Sequence, residues 1–146
     1  MTEYSSWDET LSEHEKNLSQ GVQEQWDNGK FDDAILILHE LLKDRPDSAL
    51  FNVTLGQMYK RLSEEISDPN KVLLAEKHFA KAITLAPTSG VVSIMYFKCL
   101  LDMGKDAEAL SEVARFKEVG APAESAQFSE DYREDITAIQ SRLNAT

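Results

Sequence analysis

The sequence predicts an all-α fold, and three observations support this prediction. Apolar residues recur every three or four positions along successive segments, and no stretch alternates apolar and polar residues for the length of a strand. The 146 residues are 42% apolar with only 6 Gly and 4 Pro, a composition typical of a packed globular chain. The pattern of a turn followed by an amphipathic helix also repeats. We therefore expect one domain of helix pairs over residues 1–146.

The repeated pattern has three copies in register. Residues 29–34 (GKFDDA) and 104–109 (GKDAEA) are turn segments that each precede an amphipathic helix. In each copy an alanine is followed twelve residues later by a residue at the end of that helix: Ala34 by Pro46, Ala75 by Pro87, and Ala109 by Ala121. We place the three units at about residues 15–48, 49–88 and 90–122.

The middle unit resembles the tetratricopeptide repeat (TPR). Its residues read Leu55-Gly56-x-x-Tyr59, then Ala75-x-x-x-Phe79, then Pro87. The resemblance implies an antiparallel helix-pair solenoid, a TPR-like superhelix, in which small residues let paired helices approach closely and aromatic residues fill the space beside them. The first and third units diverge from the family at the positions that match Leu55-Gly56.

The helices are expected in the following order. A capping box at Ser6-Trp7-Asp8-Glu9 starts a first helix that runs to about Asn28, and a second helix follows over 32–44. Seven extra residues in the second unit, with a turn at Ser67-Asp68-Pro69, should lengthen both of its helices. The third pair is expected over about 90–103 and 105–119.

A C-terminal helix is expected over about residues 123–144, outside the repeat pattern. Phe128, Tyr132, Ile136, Ile139 and Leu143 form its apolar stripe. A repeat array exposes the apolar side of its last helix pair, so we expect this helix to cap the array. Recruitment of a partner is the alternative role.

The charge of the chain limits its partners. Fifteen basic and 26 acidic residues give a formal net charge of −11, which repels nucleic-acid phosphates and anionic lipids. No apolar run approaches the roughly 20 residues that span a bilayer, and residues 1–15 lack the features of a signal peptide. With Cys99 as the single cysteine, we expect a soluble cytoplasmic protein that binds neither nucleic acid nor membranes.

Catalysis, cofactors and metal binding are not expected. His14, His39 and His78 lack neighbours at metal-ligand spacing, and the sequence has no glycine-rich phosphate loop. Cys99 lies in an apolar stretch, where a buried inert thiol is expected. Adjacent acidic residues such as Glu64 and Glu65 diverge on a helix, so they do not form a catalytic pair.

The resemblance implies a concave groove lined by the first helix of each pair. We expect the groove to bind a partner through nine residues: Gln23, Trp26, Leu50, Gln57, Lys60, Arg61, Ile94, Met95 and Lys98. The Lys, Asn and Arg set with which some family members hold a C-terminal carboxylate of heat-shock chaperones is absent at the matching positions. Apolar residues such as Leu50 and Ile94 indicate an interaction patch unless the protein's own termini cover it.

Two functions are consistent with the sequence. The first is a non-catalytic adaptor or scaffold that binds a segment of another protein in its groove. The second is a small acidic immunity protein or secretion chaperone that masks a basic toxin or effector. Self-association through the apolar groove is a further alternative.

Overall fold

The computed structural model describes residues 4–145; Met1 to Glu3 and Thr146 lie outside the described residues. The described part consists of eight α-helices and no strand, so the prediction of an all-α fold is confirmed. The helices are α1 (Glu13–Asp27), α2 (Phe31–Asp44), α3 (Ala49–Glu65), α4 (Pro69–Leu85), α5 (Gly90–Asp102), α6 (Asp106–Val119), α7 (Pro122–Asp131) and α8 (Arg133–Asn144).

The described residues form two compact units. Residues 8–85 form the N-terminal unit, in which α1 packs on α2, α2 on α3, and α3 on α4. Residues 86–145 together with residues 4–7 form the C-terminal unit, in which α6 contacts α5, α7 and α8. The expected grouping of the whole chain into one domain of three repeats stays a prediction.

The first helix starts later than predicted. Its capping box is Ser12 with Glu15: the Ser12 hydroxyl accepts from the Glu15 N–H, and the Glu15 carboxylate accepts from the Ser12 N–H. Both Ser6-x-x-Glu9 and Ser12-x-x-Glu15 fit the capping pattern. The prediction at Ser6 was wrong because the Glu9 carboxylate binds residues of α3 and the segment before it.

The two helices of the second pair approach closely, as the motif predicted. A Cβ atom at Gly56 would lie 2.8 Å from the ring of Phe79, and both residues are buried. Both helices have 17 residues, so the insertion does lengthen α3 and α4. In the turn between them Ser67 has a φ of 52°, and the Asp68 carboxylate accepts from the Asn70 N–H at 3.0 Å.

The core of the C-terminal unit is built by residues from four helices. Its buried members are Phe97, Leu100, Ala109, Phe116, Phe128 and Ile139. The segment 123–144 contains two helices where one was expected, with Tyr132 in a non-helical conformation (φ −115°, ψ 22°) between them. The apolar stripe itself is continuous in sequence, so only packing reveals the break, which allows α7 and α8 each to contact α6.

A buried carboxylate also links α5 to α6. Glu112 is 4% exposed, accepts a 2.6 Å hydrogen bond from the buried Ser93 hydroxyl, and receives two 2.7 Å hydrogen bonds from Arg115. The Arg115 guanidinium also donates to the Pro87 carbonyl at 2.8 Å. These partners offset the cost of burying the Glu112 charge.

A polar cluster joins α2, α3 and α4 in the N-terminal unit. The His39 Nε2 and Tyr59 hydroxyl are 2.8 Å apart, the Tyr59 ring stacks on His78, and His78 Nδ1 lies 3.1 Å from the Asn52 Oδ1. Burial lowers the pKa of His78 to about 4, and the charges of His39, Lys77 and Lys81 add to this effect. His78 is therefore neutral at pH 7.

Acid should destabilise the N-terminal unit through His78. Because folding lowers its pKa from 6.5 to about 4, its contribution to stability is complete above pH 6.5 and is lost as the pH falls towards 4. Solvent screening of this partly exposed ring reduces the expected loss to about 1–2 kcal/mol. Urea titrations should show a smaller loss over this range in His78→Gln than in the wild type. A His78 protonation midpoint near 6.5 in an NMR titration would contradict this prediction.

Candidate functional site

The N-terminal unit has an apolar pocket with walls mostly from α1 and α3. Its volume is about 150 Å³, comparable to a cavity that holds a benzene molecule. The lining residues are Leu11, Ser19, Val22, Gln23, Leu38, Leu50, Phe51, Thr54 and Met58. The structure thus brings together two of the predicted binding residues, Gln23 and Leu50. Val22, Leu38 and Phe51 are buried and form the floor, whereas Ser19 and Gln23 are accessible to solvent.

An acidic side chain is bound beside this pocket. The Glu9 carboxylate accepts hydrogen bonds from the Ser48 hydroxyl and from the Leu50 N–H at 3.2 Å, and it lies 3.4 Å from Arg45 Nη2. Ser48 is the N-cap of α3, so the positive end of that helix also faces the carboxylate. Arg45 Nη1 donates to the Thr10 carbonyl at 3.0 Å.

Arg45 is held in place by a second carboxylate. Its Nη1 lies 3.0 Å from Glu15 Oε1 and 3.1 Å from Glu15 Oε2. The pKa of Glu15 is below its usual value, chiefly because its carboxylate accepts from the Ser12 backbone N–H, with Arg45 as a further cause. Arg45 therefore stays oriented towards residues 9 and 10.

The other predicted residues of the N-terminal unit differ in their accessibility. Trp26 is only 6% exposed: its ring centroid lies 4.4 Å from that of Phe31, and the Arg61 guanidinium lies 5.8 Å from the indole. The indole therefore offers little surface to a partner. Gln57 and Arg61 are exposed on α3, and Lys60 is partly buried.

In the C-terminal unit the three predicted residues lie on α5. Ile94 is partly buried and packs against the hydrophobic core of the unit, which also contacts Tyr4. Met95 is partly exposed and Lys98 is exposed. Ile94 therefore contributes to folding, and Met95 and Lys98 are the accessible residues of this set.

Residues 4 and 5 cover the start of α5. The Ser5 carbonyl accepts from the Ser89 hydroxyl at 2.9 Å and from the Val91 N–H at 3.1 Å. The Ser5 N–H donates to Glu124, and the Tyr4 hydroxyl donates to Asp131 Oδ2 at 2.5 Å. Burial, aided by the Asp131 carboxylate, raises the pKa of Tyr4. The sequence left open whether the protein's own termini cover part of the predicted groove. Residues 4 and 5 do cover the start of α5.

The contacts of Tyr4, Ser5, Glu9 and Leu11 were not predicted from the sequence. The capping-box pattern at residues 6–9 predicts a helix there, whereas the structure has a non-helical segment. The second match, Ser12-x-x-Glu15, was the one available signal that the helix starts later.

No three His, Cys, Asp or Glu side chains within residues 4–145 are arranged to hold a metal ion. No helix in the same part of the chain is long and apolar enough to cross a membrane. Neither absence identifies a function.

Comparison with known proteins identifies the fold. No family model and no curated protein matches the sequence. Among solved structures, the chain is similar to the type III secretion chaperone SycD of Yersinia enterocolitica in complex with a peptide of the translocator YopD. The TM-score is 0.70 at 20% identity, covering 92% of this chain and 98% of SycD.

Two further structures have the same fold. One is a type III secretion system complex from Aeromonas hydrophila, with a TM-score of 0.69 at 19% identity, covering 90% of this chain and 83% of the other. The other is the first TPR of Spaghetti (RPAP3) bound to an HSP90 peptide, with a TM-score of 0.62 at 18% identity, covering 88% and 94%. At these identities the similarity establishes the fold alone: this chain has the TPR-like fold of antiparallel helix pairs.

Proposed function

We propose that this chain is a non-catalytic adaptor that binds a segment of another protein along the first helices of its pairs. The observation that carries the proposal is the apolar pocket of about 150 Å³ between α1 and α3. Its apolar floor and polar rim suit one apolar side chain of a bound segment, with polar contacts to fix the orientation of that segment.

The similar structures support this proposal. SycD was solved with a peptide of the translocator YopD, and the RPAP3 domain with an HSP90 peptide. Both share the fold of this chain and both bind a short segment of another protein. We therefore propose a peptide segment as the ligand, with a role as a secretion chaperone as the narrower form of the proposal.

The predicted binding residues take different roles in this proposal. Gln23 and Leu50 belong to the pocket, and Gln57, Lys60 and Arg61 extend the surface along α3. On α5, Met95 and Lys98 are available for contact. We assign Trp26 and Ile94 to packing, because the first is buried and the second lies against the core.

Charge masking is the second candidate. A net charge of −11 favours association with a basic partner such as a toxin or effector, and it would act through many exposed carboxylates together. This candidate needs no pocket. The two functions can therefore be separated by a substitution that fills the pocket.

Replacement of Ser19 by arginine should separate them, with Asn17→Arg as the matched control. Ser19 lines the pocket, whereas Asn17 is an exposed residue of the same helix, and both changes add one positive charge. If the pocket binds a partner segment, Ser19→Arg should weaken binding by about 2 kcal/mol, roughly 30-fold, and Asn17→Arg should have little effect. The measurement is calorimetry with a partner obtained by affinity capture.

Charge masking predicts a different outcome. Both arginine variants should then weaken binding slightly and equally, and the association rate should fall steeply as salt shortens the Debye length to about 8 Å at physiological ionic strength. Equal effects of the two variants, together with a steep salt dependence, would refute groove binding.

A further inference from the structure

Residues 9–11 occupy the candidate site as a non-helical segment. They make three kinds of contact with the N-terminal unit: a carboxylate contact through Glu9, a carbonyl contact through Thr10, and an apolar contact through Leu11 at the pocket. None of these residues belongs to a helix. The segment is therefore held mainly by groups that another peptide could also present.

The groups that donate hydrogen bonds to Glu9 and Thr10 are held in place by contacts outside residues 9–11. Ser48 is 1% exposed, and its hydroxyl accepts from the Phe51 N–H at 3.0 Å as the N-cap of α3. Arg45 follows the end of α2 and is oriented by Glu15. The donor set would therefore persist if residues 9–11 left the site.

The same two donor positions are used again in the C-terminal unit. There the N-cap hydroxyl of Ser89 and the N–H of Val91 both donate to the Ser5 carbonyl. Ser89 corresponds to Ser48, and Val91 corresponds to Leu50. Each pair is separated by the same number of residues as Pro46 and Pro87, so its members occupy equivalent positions in their repeats. Binding an acceptor oxygen of a non-helical segment is thus a recurring property of these helix starts.

Leu11 makes the apolar contact of this segment with the pocket. It lines the pocket together with buried residues such as Val22 and Phe51. Departure of residues 9–11 would enlarge the pocket and expose this apolar floor to water, which is unfavourable unless another apolar side chain replaces Leu11.

We propose that residues 9–11 are an internal occupant of the binding site, and that the site accepts from a partner an extended segment of the same chemistry: a carboxylate two residues before an aliphatic side chain. The inference deepens the proposed function and rests on it. The partner's carboxylate takes the place of Glu9 on Arg45, Ser48 and the Leu50 N–H, and its aliphatic side chain takes the place of Leu11. Partner binding then requires release of the protein's own segment, which lowers the apparent affinity.

The test uses a labelled synthetic peptide with the sequence SWDETLS, residues 6–12 of this chain, blocked at both ends. Its affinity is measured by fluorescence anisotropy on the full-length protein. Glu9→Ala/Leu11→Ala should bind the peptide at least about tenfold more tightly than the wild type, because an attached competitor acts at a millimolar effective concentration. Asp8→Ala is the matched control, since it also removes one negative charge but lies outside residues 9–11 and is exposed. It should bind like the wild type.

Three results would overturn the proposal. The first is equal binding of the peptide to all three proteins, and the second is equal binding of a peptide in which the Glu and Leu are both alanine. The third is a dimer in sedimentation that Glu9→Ala/Leu11→Ala abolishes, because a second copy would then supply residues 9–11. If the double variant does not fold, Glu9→Gln keeps the side-chain size, and a severalfold gain in peptide affinity is then expected.

The peptide experiment tests the internal occupant, and the Ser19→Arg experiment tests the proposed function, so a failure of one can be told from a failure of the other. If Ser19→Arg weakens the captured partner but the peptide shows no gain on the double variant, residues 9–11 are not an internal occupant and groove binding stands. If the peptide gain is present but the captured partner is insensitive to Ser19→Arg, the site exists but the proposed function is wrong.

Discussion

Replacement of Phe128 by alanine should lower the free energy of unfolding by about 3–5 kcal/mol, the range for removing a fully buried aromatic side chain. Phe128 is 1% exposed, and its ring centroid lies 5.2 Å from that of Phe97, 5.6 Å from Tyr132 and 6.0 Å from Phe116. The substitution therefore leaves a cavity among three aromatic rings. Denaturant titration followed by circular dichroism measures the loss.

Leu143→Ala is the control for this prediction. Leu143 belongs to the same apolar stripe of the sequence but is 37% exposed, so its truncation should cost less than about 1 kcal/mol. An unchanged stability of Phe128→Ala would show that α7 does not stabilise the core, and the alternative role of this segment, recruitment of a partner, would then be favoured.

Replacement of Gly56 by alanine should leave the protein less stable than replacement of Gly21 by alanine. Both glycines lie inside helices, so alanine brings the same gain of about 1 kcal/mol in helix propensity. At Gly56 the new Cβ would lie 2.8 Å from the buried Phe79 ring, whereas at Gly21 the nearest atom is Ile37 Cδ1 at 3.7 Å. We expect the two variants to differ in free energy of unfolding by about 1–3 kcal/mol, the cost of overpacking.

Comparison of the two glycine variants removes the shared effect of propensity. Gly21→Ala should melt at or above the temperature of the wild type, and Gly56→Ala should melt below Gly21→Ala. Equal melting temperatures would contradict the close contact of α3 with α4, and with it the assignment of Gly56 and Phe79 to the TPR motif.

Helix identity and pairing were readable from the sequence because they depend on local periodicity and on turn residues. The turn at Ser67-Asp68-Pro69 and the end of α6 before Gly120 both lie where predicted. From the motif, Gly56 was predicted to let the paired helices approach closely and Phe79 to fill the space beside the small residues, and the structure places these two residues against each other. A few neighbouring residues or one repeated pattern are enough to predict these features.

The start of α1 and the break at Tyr132 were not readable in this way. Two Ser-x-x-Glu patterns compete near the N-terminus, and local chemistry does not choose between them. In the structure Arg45 and Ser48, more than 30 residues away, bind the Glu9 carboxylate, which is therefore not available to cap a helix at Ser6. At Tyr132 the periodicity continues, and the packing of α7 and α8 on α6 accompanies the break.

By itself, then, the sequence determined the all-α class, the close contact of α3 with α4 and the acidic charge, and it predicted a set of binding residues. Only the tertiary structure decided which of those residues are accessible: Trp26 is buried, Ile94 packs on the core, and Leu50 shares a pocket with Leu11. The reason is physical. Periodicity records which side of a helix is apolar, but the exposure of a given side chain depends on which distant segment packs against it.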